Sequence, residues 1–254
     1  MKYICLSFDD ARSDTYNVAF PILKKNHLKA TVNVVSDFVF HPESYHFSKE
    51  GAMTGPNLIE WQNWGGEVAL HGSKHQNTVE DILRNKAELE TLGIDTSEIG
   101  FASPTSWLTR ENAITSGIQA LKDNGMISYM RSGIQVRREG KLYLAVSMLE
   151  MLTHSAYLYF LLNRRCIFQI ESIPILLPSA AVKSYTTLKQ IEYTIGRMHD
   201  GDALILMFHS ILDSNDSSYG ADYYFWDAEK FDKLCAFLAN CANIEIVTTK
   251  ELIA

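Results

Sequence analysis

Two acids stand side by side at the end of an apolar run, where residues 3–8 lead straight into Asp9-Asp10. Adjacent carboxylates leaving a buried strand repel each other, and a metal ion or a cationic side chain commonly compensates them. Either acid alone reads equally well as a helix N-cap. Further along, His71 and His75 follow a short apolar run, 68–70, and a Gly65-Gly66 break. Imidazoles four positions apart lie on one side of a helical turn, close enough to chelate one ion. Surface histidines reach that spacing by chance, so its weight comes from the strand before it. Two histidines and one aspartate would leave a coordination position open for water, as a catalytic zinc centre requires.

Two further strand ends carry unusual residues. His209 closes the apolar run Leu206-Met207-Phe208. A lone histidine there is usually a satisfied core residue. Beside the other two motifs, acid–base chemistry is the better explanation. Phe101-Ala102-Ser103-Pro104-Thr105 reads as a strand-to-turn corner whose backbone N–H groups could face a developing oxyanion, or as a plain turn.

The elements that must position these residues alternate. Apolar patterning predicts strands over 3–8, 30–35, 67–70, 99–102, 127–131, 167–170, 203–208 and 244–247, and helices over 19–26, 58–64, 78–92, 112–124, 188–198 and 228–238. Such alternation builds βα units and a parallel sheet, whose carboxyl ends are where sites assemble. The 254 residues hold no repeat or linker, which predicts a single domain spanning 1–254. The strand count favours a distorted or incomplete (β/α) barrel over an open doubly wound sheet.

Hydrophobic residues at 46% allow a large core, and a formal net charge of -7 argues against a nucleic-acid surface. Cys5, Cys166, Cys235 and Cys241 show no CxxC spacing, so reduced thiols are expected. The apolar stretch after Lys2 stops at Asp9-Asp10, too short for a secretory signal, which suggests a cytoplasmic address. The greasy segment 142–162 has Glu150 and His154 in its middle, costly in hydrocarbon. It reads as a buried helix or helix–strand pair and not as a membrane span. The sequence sets no oligomeric state.

Taken in order, Ser-Phe-Asp-Asp, then Gly-Gly-Glu-Val-Ala-Leu-His-Gly-Ser-Lys-His, then Leu-Met-Phe-His resemble the polysaccharide deacetylases of carbohydrate esterase family four. Flanking text agrees at Ala30-Thr31-Val32-Asn33, Tyr129-Met130-Arg131-Ser132 and Asp200-Gly201-Asp202. The resemblance implies a distorted (β/α) barrel with a divalent metal, most often zinc, bound by Asp10, His71 and His75. It implies Asp9 as general base, His209 as general acid, Leu206 lining an acetyl pocket and an acetylated carbohydrate as substrate. Thr105 would supply the backbone N–H for the oxyanion, and Trp107 is the first choice for a sugar-stacking face, ahead of Tyr223, Tyr224 and Trp226.

Two departures matter. The arginine that the family's third motif offers to the base is replaced by Ala102, leaving Arg12 or Arg131 to substitute. The acid that orients the catalytic histidine is not recognisable between Gly133 and Ser184. The leading function is hydrolysis of N-acetyl groups, with ester hydrolysis as a neighbouring chemistry. The reading from another class is a catalytically impaired carbohydrate-binding or scaffold protein that keeps the metal, and accidental motifs that never meet are a third.

Overall fold

The computed structural model describes residues 1–46, 51–135, 138–220 and 223–254. Among the described residues eleven strands are formed: β1 (Lys2–Phe8), β2 (Thr31–Val34), β3 (Glu67–Leu70), β4 (Phe101–Ala102), β5 (Met130–Gly133), β6 (Ile167–Gln169), β7 (Leu176–Ala181), β8 (Asp202–Phe208), β9 (Ser210–Leu212), β10 (Phe225–Asp227) and β11 (Ile244–Ile246). Between them run α1 (Phe20–Lys25), α2 (Ser36–Phe40), α3 (Gly55–Asn63), α4 (Val79–Thr91), α5 (Arg110–Thr115), α6 (Ile118–Asp123), α7 (Lys141–Thr153), α8 (Ala156–Asn163), α9 (Leu188–Gly196) and α10 (Ala228–Asn240).

Seven parallel strands pair in the cycle β1-β2-β3-β4-β5-β7-β8 and back to β1. The distortion lies in how β1 and β8 share their outer edges. β1 pairs with β8 along Tyr3–Phe8, but its other edge meets β11 at Lys2–Ile4 and β2 only at Ser7–Phe8. Likewise β8 meets β7 over Ile205–Met207 and the antiparallel β6 over Asp202–Leu204. The barrel is therefore drawn together at its carboxyl end and splayed at its amino end, where β11 and β6 fill the wedges.

Period-two alternation then decides what the interior holds. Cys5, Ala69, Leu177, Ala203 and Ile205 pack inside the strands, while Leu6, Phe8, Leu206 and Phe208 pack outward with the helices. Stacking of Phe8 on Phe208 (5.4 Å between rings) and edge contacts with Trp61 and Phe231 anchor that outer layer. At the foot, buried Glu67 accepts from Tyr129 Oη (2.7 Å), Thr31 Oγ1 (2.8 Å) and Lys250 N (2.9 Å).

Gly100 is required by the Tyr129 ring: a Cβ there would lie 1.9 Å from it. Gly100→Ala is expected to lower unfolding stability by about 1–3 kcal/mol in chemical denaturation; an unchanged midpoint would refute this close approach.

Several expectations are corrected. The helix over 112–124 is two helices, because Gly117 adopts a left-handed conformation (φ +77°) between α5 and α6. The helix expected over 58–64 starts earlier, where Thr54 and Asn57 form a capping box. β5 is shifted to Met130–Gly133, β6 is antiparallel, and β7 and α2 went unforeseen.

The segment 142–162 is only partly buried and contains no strand. α7 and α8 form a helical pair, and α7 is inside out: Glu150 is buried while Leu142 (80%), Leu152 (74%) and Met148 (55%) face solvent. Among the described residues, no helix is long and apolar enough to cross a membrane. All four cysteines are free thiols, and Cys5, Cys166 and Cys235 are buried.

Candidate active site

β1 ends at the carboxyl mouth of the barrel, and the chain then turns left-handed at Asp10 (φ 72°) and Ala11 (φ 47°). Neighbours on an extended strand point to opposite faces; here the turn sends both carboxylates into one cavity. Positive φ at non-glycine residues costs roughly 1–3 kcal/mol each and persists where the surroundings over-determine it.

His71 leaves β3 with its backbone N–H donated to Val34 O (3.0 Å) and Asn85 Oδ1 (3.0 Å). Its Nδ1 lies 2.8 Å from Ala102 O. A carbonyl only accepts, so Nδ1 carries a proton and Nε2 is the atom turned toward Asp10 Oδ1, at 3.5 Å.

His75 Nε2 sits 3.6 Å from the same oxygen. His75 comes through a turn, not along a helix as its spacing suggested. Gly72 (φ +79°) and His75 (φ 58°) are left-handed, and the Asp81 carboxylate accepts the N–H groups of Lys74 and Gln76 (both 3.0 Å). The donor atoms of Asp10, His71 and His75 lie within 4.8 Å of one another. Two neutral-capable imidazoles, one carboxylate oxygen and a fixed tautomer fit a divalent cation with an open coordination position.

The two acids have separate guanidinium partners. Arg12 Nη2 lies 2.9 Å from Asp10 Oδ2, leaving Oδ1 for the histidines. Arg131, from the middle of β5, donates to Asp9 Oδ1 at 2.5 Å and to Ser179 Oγ at 2.8 Å. Asn33 Nδ2 adds a bond to the same Asp9 oxygen at 2.8 Å. Arg131 is the register partner of Ala102 on the adjacent strand. The guanidinium missing from the third motif is thus replaced from one strand over; Arg12, the other candidate, serves Asp10 instead.

These contacts set the electrostatics. Burial works to raise the Asp9 carboxyl, but Arg131, His71 and His209 outweigh it and hold it below the ordinary aspartate range. Asp10 is also held low against the same penalty, by His71 and Arg12. His71 is raised because Asp9 and Asp10 overcome its burial. His75 is pushed down to about 4 by burial and by His71, which favours the neutral, ligating imidazole. Burial also lowers His209, whose Nδ1 is buried without a hydrogen-bond partner among the described residues.

A cavity of about 630 Å³ collects Asp9, Asp10, His71, His75, His209 and Thr105 on its walls. Thr105 (φ 54°) and Ser106 (φ 52°) are both left-handed there.

Two expected residues are absent from those walls. Leu206 is 1% exposed and packs outward, because alternation from inward-facing His209 puts Met207 inside. Trp107 packs against the outer core, while Tyr223 and Tyr224 line the cavity, the latter 4.9 Å from the His209 ring. Trp226 is buried, donating to Thr186 O at 2.8 Å. The positioning residues Arg131, Asn33, Asp81 and Asn85 reach the site from neighbouring elements, and of these only Arg131 and Asn33 lay in stretches that the motif order had singled out.

Residues 1–115 match the family model described as polysaccharide deacetylase. No curated protein matches the sequence. Among solved structures, a mutant of the peptidoglycan deacetylase PdaC from Bacillus subtilis is 15% identical with a TM-score of 0.50, covering 99% of this chain and 89% of that one. A family 4 acetyl xylan esterase from Clostridium thermocellum, solved with a cobalt ion, is 14% identical with a TM-score of 0.51, covering 98% and 89%. A mutant of a CE4 family pseudoenzyme with restored enzymatic activity is 14% identical with a TM-score of 0.51, covering 100% and 68%. At these identities the likeness is one of fold.

Proposed function

From the match of residues 1–115 to the polysaccharide deacetylase family model, we propose that this chain is a metal-dependent hydrolase that removes acetyl groups, N-acetyl first, from a carbohydrate. The observation that carries the reading is the meeting of Asp9 with the Asp10–His71–His75 cluster at one barrel mouth, each acid neutralised by its own arginine.

Asp10, His71 and His75 would hold the metal, zinc by the donor set. When bound, it supplies Lewis acidity to the acetyl carbonyl and to the attacking water. Asp9 takes the proton from that water, its free oxygen aimed by the Arg131 and Asn33 bonds to the other. As the carbonyl oxygen gains charge, Thr105 on the cavity wall would supply the N–H that stabilises it. His209 then protonates the departing amine. Its lowered pKa makes the imidazolium a stronger but scarcer acid at neutral pH. Met207 beside it takes the place proposed for Leu206 at the acetyl methyl, and Tyr223 and Tyr224 offer the sugar-facing rings in place of Trp107.

The test is acetate release from acetylated chitooligosaccharides and from an acetyl ester. Release is expected to stop on chelation and to return with zinc or cobalt. Amide turnover above ester turnover supports the N-acetyl assignment. The impaired-protein reading draws on one observation, the unpartnered Nδ1 of His209. Stoichiometric metal binding with no turnover on either substrate would establish it in place of catalysis.

A further inference from the structure

Behind the catalytic cavity lies a side chamber of about 50 Å³ that shares Ile134, Ala181 and Lys183 with it. The chamber is polar. Tyr159, 4% exposed, contributes a buried hydroxyl that makes no hydrogen bond among the described residues. Glu150 belongs to the same wall, with Oε1 taking the Gln190 amide at 2.6 Å.

Lys183 stands at the shared boundary. Among the described residues no carboxylate comes within ion-pair distance of it; Glu150 acts on it only through space, and its ring contact is a distant one, 5.7 Å to the Tyr185 centroid. Arg12, the other full cation on the cavity wall, is committed to Asp10, and the buried Arg131 is committed to Asp9. A half-buried ammonium with no carboxylate in direct contact is costly, and so is a buried hydroxyl without an acceptor. One ligand group would relieve both: an anion with several acceptor oxygens. Burial raises the Glu150 carboxyl, so its neighbourhood opposes that anion less than a full negative charge would.

We propose that Lys183 and the Tyr159 hydroxyl form a subsite for an anionic substituent, a carboxylate or a phosphate, on the saccharide whose acetyl group is removed. The subsite makes acidic acetylated glycans the substrate class. The assignment rests on the deacetylase reading, and the experiment separates the two.

Wild type, Lys183→Gln and Lys183→Arg are compared on N,N′-diacetylchitobiose, on an N-acetylated disaccharide carrying a uronic carboxylate and on N,N′-diacetylchitobiose 6-phosphate. Both acetate release and calorimetric binding are measured. Wild type is expected to favour at least one acidic ligand over the neutral one by about ten-fold or more in kcat/KM, mainly through KM. That ratio should collapse to within about two-fold in Lys183→Gln, persist in Lys183→Arg and shrink with added salt. The better of the two acidic arms names the anion. Equal use of all three by wild type, or a preference that survives Lys183→Gln, overturns the subsite and leaves the deacetylase reading standing. No acetate from any of them counts against the deacetylase reading, and the calorimetric ratio still decides the subsite.

Discussion

Asp9→Asn is expected to keep the cation site and to lower kcat/KM for acetate release by about 10²–10⁴-fold. The substitution preserves shape and removes the group that accepts the proton. Asp10, His71 and His75 are untouched, so metal content should match the parent. Stability falls as well, because Arg131, 1% exposed, loses the anion it faces in a dry interior. Acetate assays alongside metal analysis and circular dichroism separate these effects. A folded, metal-loaded Asp9→Asn protein with more than a tenth of parental activity would remove Asp9 from the role of base.

The second large effect belongs to Arg131. Arg131→Met keeps much of the side chain's length and strips its charge, leaving Asn33 as the side-chain donor to the buried Asp9. Breaking a buried pair from one side typically costs about 3–5 kcal/mol. The pH dependence gives the sign. In the parent, the Asp9 pKa is held low, so its contribution to stability is present above the unfolded aspartate pKa and fades as pH falls through the folded one. In the variant, burial acts unopposed by the guanidinium and raises that pKa. The same residue then stabilises at low pH and loses its contribution as pH rises through the folded value. The acid limb of the pH–rate profile should move upward with it.

Denaturant unfolding across a pH series and initial rates across the same range measure both effects. A double variant, Ala102→Arg with Arg131→Ala, supplies a readout that a merely structural role would not move. Register partners on parallel neighbours share a face, so the relocated guanidinium should restore part of the lost rate. No recovery, with the acid limb unmoved in Arg131→Met, would show that Arg131 acts only as packing.

The parts legible in the sequence are those written in contiguous text. β1, β3 and β8 are largely apolar runs followed by acids or imidazoles, and that pattern located both the barrel and the candidate cluster of Asp10, His71 and His75. β7 was missed because Leu-Leu-Pro-Ser-Ala-Ala carries a proline and small residues that read against a central strand.

Leu206 was misplaced because the motif was read by order, while side-chain direction follows parity from His209. Arg131 could be named as a candidate but not chosen, because its reach to Asp9 runs across the barrel interior and spans 122 positions of sequence. The α7 segment misled for a physical reason: an apolar helix is expected to hide its leucines, and this one hides a glutamate beside Gln190.

The uneven barrel has one more implication. Spacing among the reacting groups depends on the upper halves of β1 and β8, which bond each other and then β2 and β7. The lower halves answer to different partners, β11 and β6. Sequence drift in those two wedge strands therefore acts on a region mechanically insulated from the rim, and tolerance to substitution should follow height along the barrel axis more closely than distance along the chain.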